Sequence, residues 1–167
     1  TSIYWFDSII EYITNNNIKN LDCSKTIQIF DIKNCKILND RIESIDGGHA
    51  WCSDNKTFFY TRQDPETLRS FQVWKHRLGC SADNDVLVYE EKDETFYCYV
   101  YTSSSGKYVI IGSSQTLTDE YRFIDSSEPN SEFKLFDQRV RGLEYDVDHV
   151  GGLFYIRTNF EAENFRL

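Results

Sequence analysis

The tetrad Asp146-Val147-Asp148-His149 sets two carboxylates and an imidazole within four residues, the side-chain types used in metal binding and acid–base catalysis. In an extended strand, however, Asp146 and Asp148 share one face, and His149 falls at the strand end beside a Gly151-Gly152 turn. That placement favours a structural imidazole, hydrogen-bonded at a turn. A serine nucleophile needs a strained strand-to-helix turn, commonly G-x-S-x-G. No such pentapeptide occurs, Gly106 and Gly112 flank no serine in that pattern, and Ser103-Ser104-Ser105-Gly106 reads as a hairpin turn. His49 and His76 lie near strand ends with no partner visible in the chain around them. The acidic run Glu90-Glu91-Lys92-Asp93-Glu94 is capable of drawing basic peptides at long range, but a solvated connection between structural units is the simpler reading. Trp51 and Trp74 are read as packing aromatics. No residue is assigned as catalytic, cofactor-binding or metal-ligating.

The elements that hold these residues are strands. Tyr and Phe together contribute 23 of the 167 residues, 16% of the chain is aromatic and 40% apolar, which argues against disorder and for an all-β domain. The net charge of −9 repels phosphate backbones, so nucleic acid is not an expected partner. The five cysteines (Cys23, Cys35, Cys52, Cys80 and Cys98) form no C-x-x-C pair, zinc spacing or evident disulfide framework. Cys52 and Cys98 sit in apolar strand patterns as small buried hydrophobes, and a reducing, cytoplasmic setting follows most simply. There is no signal peptide and no apolar run long enough for a bilayer, so no membrane partner is expected.

The first residues follow a different period. Ile3, Phe6, Ile9, Ile10 and Ile13 recur at spacings of three and four, which predicts a short helix capped by Ser2 and stopped near Asn15-Asn16-Asn17. From Thr26 alternation takes over, with a hairpin turning at Lys33-Asn34 and a polar connection over Asp40–Gly48. A four-strand unit is predicted next, at His49–Cys52, Thr57–Arg62, Phe71–His76 and Val86–Glu90. A second follows at Phe96–Thr102, Tyr108–Ser113, Glu120–Asp125 and Phe133–Phe136. A third begins near Gly142, with Leu143–Val147, Leu153–Thr158 and a last strand at Asn164–Leu167. Unit starts lie roughly 46–48 residues apart, within the range of propeller blades. The expected fold is therefore a partial β-propeller of about three four-stranded antiparallel blades over residues 26–167, preceded by a helical segment at 1–25.

Three stretches carry a resemblance: AWCSDNKTFFYTRQDPETLRSFQVWKHRLG (Ala50–Gly79), DVLVYEEKDETFY (Asp85–Tyr97) and LEYDVDHVGGLFYIRTNFEAENFRL (Leu143–Leu167). In this order they resemble the N-terminal β-propeller of the oligopeptidase B (protease II) branch of the prolyl oligopeptidase family, from about Ile27 onward; nothing before about Thr26 aligns. The resemblance implies a non-catalytic section of the propeller of a cytoplasmic serine peptidase that cleaves short peptides after arginine or lysine. The propeller would gate access to an α/β-hydrolase domain that bears the serine, aspartate and histidine and is not represented in these residues. That domain, or a chain supplying it, is the implied partner, and short basic peptides are the implied substrate. Arg62, Arg139 and Arg141 are candidates for ion pairs with it on closure. A stand-alone propeller-like module for binding proteins, or a relic of a split gene, stands as the alternative.

Overall fold

The computed structural model describes residues 8–14 and 25–167. They form antiparallel strands in three sheets, with a single 3-10 turn at Ala82–Asn84 as the only helical element among the described residues. The first sheet is a meander of β1 (Ser8–Thr14), β2 (Lys25–Asp31), β3 (Lys36–Trp51), β4 (Thr57–Gln63), β5 (Ser70–Arg77) and β6 (Val86–Glu90). The second contains β7 (Tyr97–Thr102), β8 (Tyr108–Gln115), β9 (Thr118–Asp125) and the short β10 (Lys134–Leu135). The third is the hairpin of β11 (Tyr145–Val150) and β12 (Leu153–Thr158).

Each middle strand serves two cores, which is how sheets come to stack as blades. In β4, Thr57-Phe58-Phe59-Tyr60-Thr61 is buried throughout. Phe58 and Tyr60 point one way, into a core with Ile27, Ile29, Ile42 and Ile45; Phe59 points the other way, toward Val100, Val109 and Ile111 of the second sheet. The period of two repeats the division one sheet later. Cys98, Val100, Val109, Ile111 and Ile124 face the first sheet, while Tyr99, Ile110, Tyr121 and Phe123 face Tyr145, Val147 and Phe154 of the third. A strand buried on both faces reads as a continuous apolar run, and FFY in β4 and YVII in β8 do so. Full burial of each such Phe or Ile contributes about 1.5–3 kcal/mol. Trp51 is buried in the first core and Trp74 packs against it, the packing role read from the sequence.

Three sequence expectations are corrected. The predicted N-terminal helix is a strand where the structure describes it: β1 pairs with β2 from Ser8↔Asp31 to Thr14↔Lys25. A short isolated helix is marginal in water, whereas Ile9, Ile10, Ile13 and Thr14 are β-branched and the free edge of β2 supplies backbone partners. Ile3, Phe6, Ser2 and the asparagine run lie outside the described residues. Second, the polar connection Asp40–Gly48 is not a loop, because β3 runs unbroken from Lys36 to Trp51. A bulge between its pairs Ile27↔Ile42 and Lys25↔Ile45, with Ser44 at φ 59°, lets two isoleucines three positions apart face the same core. Without that extra residue they would point to opposite faces, so simple alternation failed here. Third, the strand expected at Asn164–Leu167 reduces to one bridge, Thr158↔Arg166.

Candidate functional site

The densest polar constellation lies where the connection after β6 passes between the first and second sheets. Glu91 is buried, unlike the exposed Glu90, Lys92, Asp93 and Glu94 around it. Its Oε2 accepts from Arg139 Nη2 at 2.6 Å, from Tyr89 OH at 2.8 Å and from Ser113 Oγ, while Oε1 accepts from the Asp93 amide at 2.9 Å. Burial by itself would raise its pKa; the donors, Arg139 foremost, outweigh burial and lower it to about 2. Arg139 continues to Glu120 Oε1 at 3.3 Å, and its guanidinium lies over the Phe96 ring at 3.7 Å. Arg122 closes the network on Glu120 and stacks over Tyr89 at 4.6 Å. Arg69, from the loop after β4, donates to the carbonyls of Asp93 at 3.1 Å and Phe96 at 2.7 Å. The connection between sheets is therefore clamped from both sides. The reading of the whole acidic run as a solvated connection holds for its other members and fails at Glu91.

The assignment of Arg139 to an ion pair with another domain is also corrected, since it is committed to Glu91 and Glu120 within this chain. Arg62 stacks over Trp74 at 4.4 Å and Tyr60 at 5.5 Å. Arg141 is exposed and lines a cleft of about 540 Å³ with Phe136, Leu143, Tyr145 and Ile156.

The Asp146–His149 tetrad is divided by the strand, as its period requires. Asp146 is exposed and pairs with Arg157 at 3.1 Å. Asp148 accepts from the Ser104 amide at 2.9 Å and the Ser104 hydroxyl at 2.5 Å, and these bonds outweigh its partial burial and lower its pKa. His149 is buried, with Nδ1 2.7 Å from Ser105 Oγ and its ring against Tyr108 and Phe154. The hairpin turn of the second sheet is thus docked on β11. A serine does touch a histidine here, but Asp148 spends its oxygens on Ser104 and the His149 amide rather than on the imidazole, so the three do not form a nucleophile–base–orienter relay. The imidazole sits hydrogen-bonded at a blade turn, the role its sequence position favoured.

His76 is the polar group that sequence reasoning missed. It is fully buried between Asp40 and Asp85, which lie 36 and 9 positions away in the chain. No local motif links the three; the pairing of β3, β4 and β5 brings Asp40 to His76, and the loop between β5 and β6 brings Asp85. His49 lies opposite Tyr60 in the β3–β4 ladder. Among the described residues no three His, Cys, Asp or Glu side chains are grouped to hold a metal ion, and no helix is long and apolar enough to cross a membrane.

Comparison with known proteins sets this architecture in context. Residues 22–167 match the family described as "Prolyl oligopeptidase, N-terminal beta-propeller domain". The chain is 40% identical over 144 residues to Protease 2 of Moraxella lacunata, covering 85% of this chain and 21% of that protein. It is 36% identical over 143 residues to dipeptidyl aminopeptidase BI of Pseudoxanthomonas mexicana, covering 85% of this chain and 20% of the relative. It thus spans about a fifth of the length of these curated relatives. Oligopeptidase B from Leishmania major superposes with a TM-score of 0.84 at 26% identity, over 96% of this chain and 22% of that structure.

Proposed function

As this chain belongs to the prolyl oligopeptidase family and forms part of its N-terminal β-propeller, we propose that it serves a serine peptidase of the oligopeptidase B type, cleaving short peptides after arginine or lysine. In this reading the blades are non-catalytic. They stand over the active site of a hydrolase domain, admit small unstructured peptides and exclude folded proteins by size, and closure around bound substrate completes the catalytic arrangement. The observation that carries the reading is the stack of sheets itself. β4 and β8 each bury both faces, as internal strands of packed blades do, and the match to Protease 2 runs through both. The polar groups support a scaffolding role, because Glu91, Arg139, Asp148 and His149 are all spent on inter-sheet contacts. Cys35, Cys52 and Cys80 carry free thiols, which fits a reducing, cytoplasmic setting.

The test is to isolate the native polypeptide bearing the Gly48–Glu94 peptides, measure its size, and assay it with arginyl, lysyl and prolyl reporter peptides and a serine-directed covalent probe. A band several-fold above 19.7 kDa that takes the probe and favours arginyl and lysyl peptides is the expected result. Prolyl preference would move the protein to another branch of the family. Absence of both probe labelling and peptide turnover would overturn the peptidase reading.

A further inference from the structure

The imidazole of His76 has no solvent contact, and both of its nitrogens meet carboxylate oxygens. Nδ1 lies 2.7 Å from Asp85 Oδ1, and Nε2 lies 3.0 Å from Asp40 Oδ1. A neutral imidazole has one N–H, so it would satisfy one of these carboxylates and turn a lone pair on the other. Only the imidazolium donates to both. The carboxylates are themselves held as acceptors: Asp40 Oδ1 takes the Gly79 amide at 2.5 Å, and Asp85 Oδ2 takes the Tyr60 hydroxyl at 2.8 Å. With both nitrogens committed, the ring has no lone pair for a metal.

The triad joins parts of the first sheet that are distant in sequence. Asp40 belongs to β3, Tyr60 to β4 and His76 to β5, while Gly79 and Asp85 bound the loop that carries the chain out to β6. Within that loop the backbone bonds are local, as in Asn84 to Ser81 and Asp85 to Ala82. Its polar attachments to the rest of the sheet run through Gly79–Asp40, Asp85–His76 and Asp85–Tyr60. Leu78 and Ala82 add apolar contact with the first core.

We propose that His76 is a charged staple, an imidazolium at neutral pH that ties β3 to the Gly79–Asp85 loop, and that its deprotonation in alkaline solution releases this loop. The groups facing the ring are Asp40 from β3, Phe58 and Tyr60 from β4, and Asp85 from the loop. The neighbouring charges are occupied elsewhere: Arg41 pairs with Glu43, Asp83 bonds Ser81, and Lys75 bonds Asn130. Arg77 is exposed. Burial opposes the charge, and the hydrogen bonds the ring donates to Asp85 and then Asp40 outweigh it, raising the pKa above 6.5. Because the folded value is raised, the stabilisation is complete below about pH 6.5, the unfolded value, and is lost as pH climbs through the folded value.

The experiment uses the whole native protein, with nitrogen-labelled histidine. The His76 ring resonances are assigned by the change that Asp85→Asn causes and followed from pH 6 to pH 10. Hydrogen exchange of the Gly79–Asp85 peptides is measured in parallel, with times corrected for base catalysis. Both ring nitrogens carrying protons at pH 7.5 is the first expected result. The second is protection of the loop falling by up to about tenfold per pH unit from about pH 6.5 until the ring titrates and levelling off above that, with Tyr108–Asp125 unchanged. If the ring signal stays protonated to pH 10, the loop must go on losing protection up to that pH, because the opened form gives up the proton that the closed form keeps. A ring neutral at pH 7.5, or a loop whose protection does not change between about pH 6.5 and the pH at which the ring titrates, would each overturn the proposal.

Discussion

Replacing Arg139 with methionine tests whether the connection between the first two sheets is held by charge. Methionine keeps an unbranched stem over Phe96 but removes the cation from Glu91, whose side chain is 5% exposed, and from Glu120. Depression of the Glu91 pKa from 4.5 to about 2 corresponds to roughly 3 kcal/mol, the net of all its donors against burial. Ser113, Tyr89 and the Asp93 amide remain after the change, and the Arg139 side chain is 26% exposed, so solvent screens part of the pair. The expected loss is therefore about 2 kcal/mol, between the value of a surface pair and the 3–5 kcal/mol of a fully buried one. The sign with pH is fixed by linkage. A depressed carboxylate contributes stability that is present above pH 4.5 and lost as pH falls through about 2, so the deficit of the variant must shrink across that interval. The assay is the urea dependence of hydrogen-exchange protection in the Tyr108–Asp125 peptides, at pH 7 and near pH 3. Combining Arg139→Met with Glu91→Gln should recover about half of the deficit, because the buried charge goes with its partner. A deficit below about 0.5 kcal/mol at pH 7, or one independent of pH, would show that the pair behaves as an ordinary surface contact.

Gly112 lies under the Tyr99 ring, and a Cβ there would overlap Tyr99 Cζ and stand 2.6 Å from Cε2 and the hydroxyl. Gly112→Ala should cost about 3 kcal/mol by displacing Tyr99 and breaking its 2.8 Å bond to Tyr121, and Tyr99→Leu in the same chain should recover part of that loss in urea titrations. Phe59→Ala opens a cavity between the first and second sheets and is expected to cost about 3–5 kcal/mol, measured in the same titrations. Ser105→Ala removes the hydroxyl bonded to His149 and should lower stability by about 1 kcal/mol; under the proposed peptidase role it should leave peptide turnover by the native polypeptide unchanged. A large loss of turnover with stability intact would assign that serine a role in the chemistry.

The sequence alone was sufficient for the elements that obey a simple period between turn residues. The strands at Thr57–Gln63, Tyr97–Thr102 and Tyr108–Gln115 were readable because alternation, aromatic content and the turns around Asp54-Asn55 and Ser103–Gly106 all agree locally. The structural role of His149 was legible for the same reason, since its strand and the Gly151-Gly152 turn lie beside it. What the sequence did not disclose depends on partners distant in the chain. The N-terminal isoleucines fit a helical period until the open edge of β2 is available to them, and the bulge at Ser44 conceals that Ile42 and Ile45 share one core. Glu91 looked like one more solvated acid until Arg139, 48 positions on, came to rest on it, and His76 had no partner until β3 brought Asp40, and the loop before β6 brought Asp85, to its two nitrogens. Local propensity fixes the period of a strand. Which buried charge meets its counterion is decided by the packing of sheet against sheet, where low dielectric makes an unpaired group costly and a paired one specific.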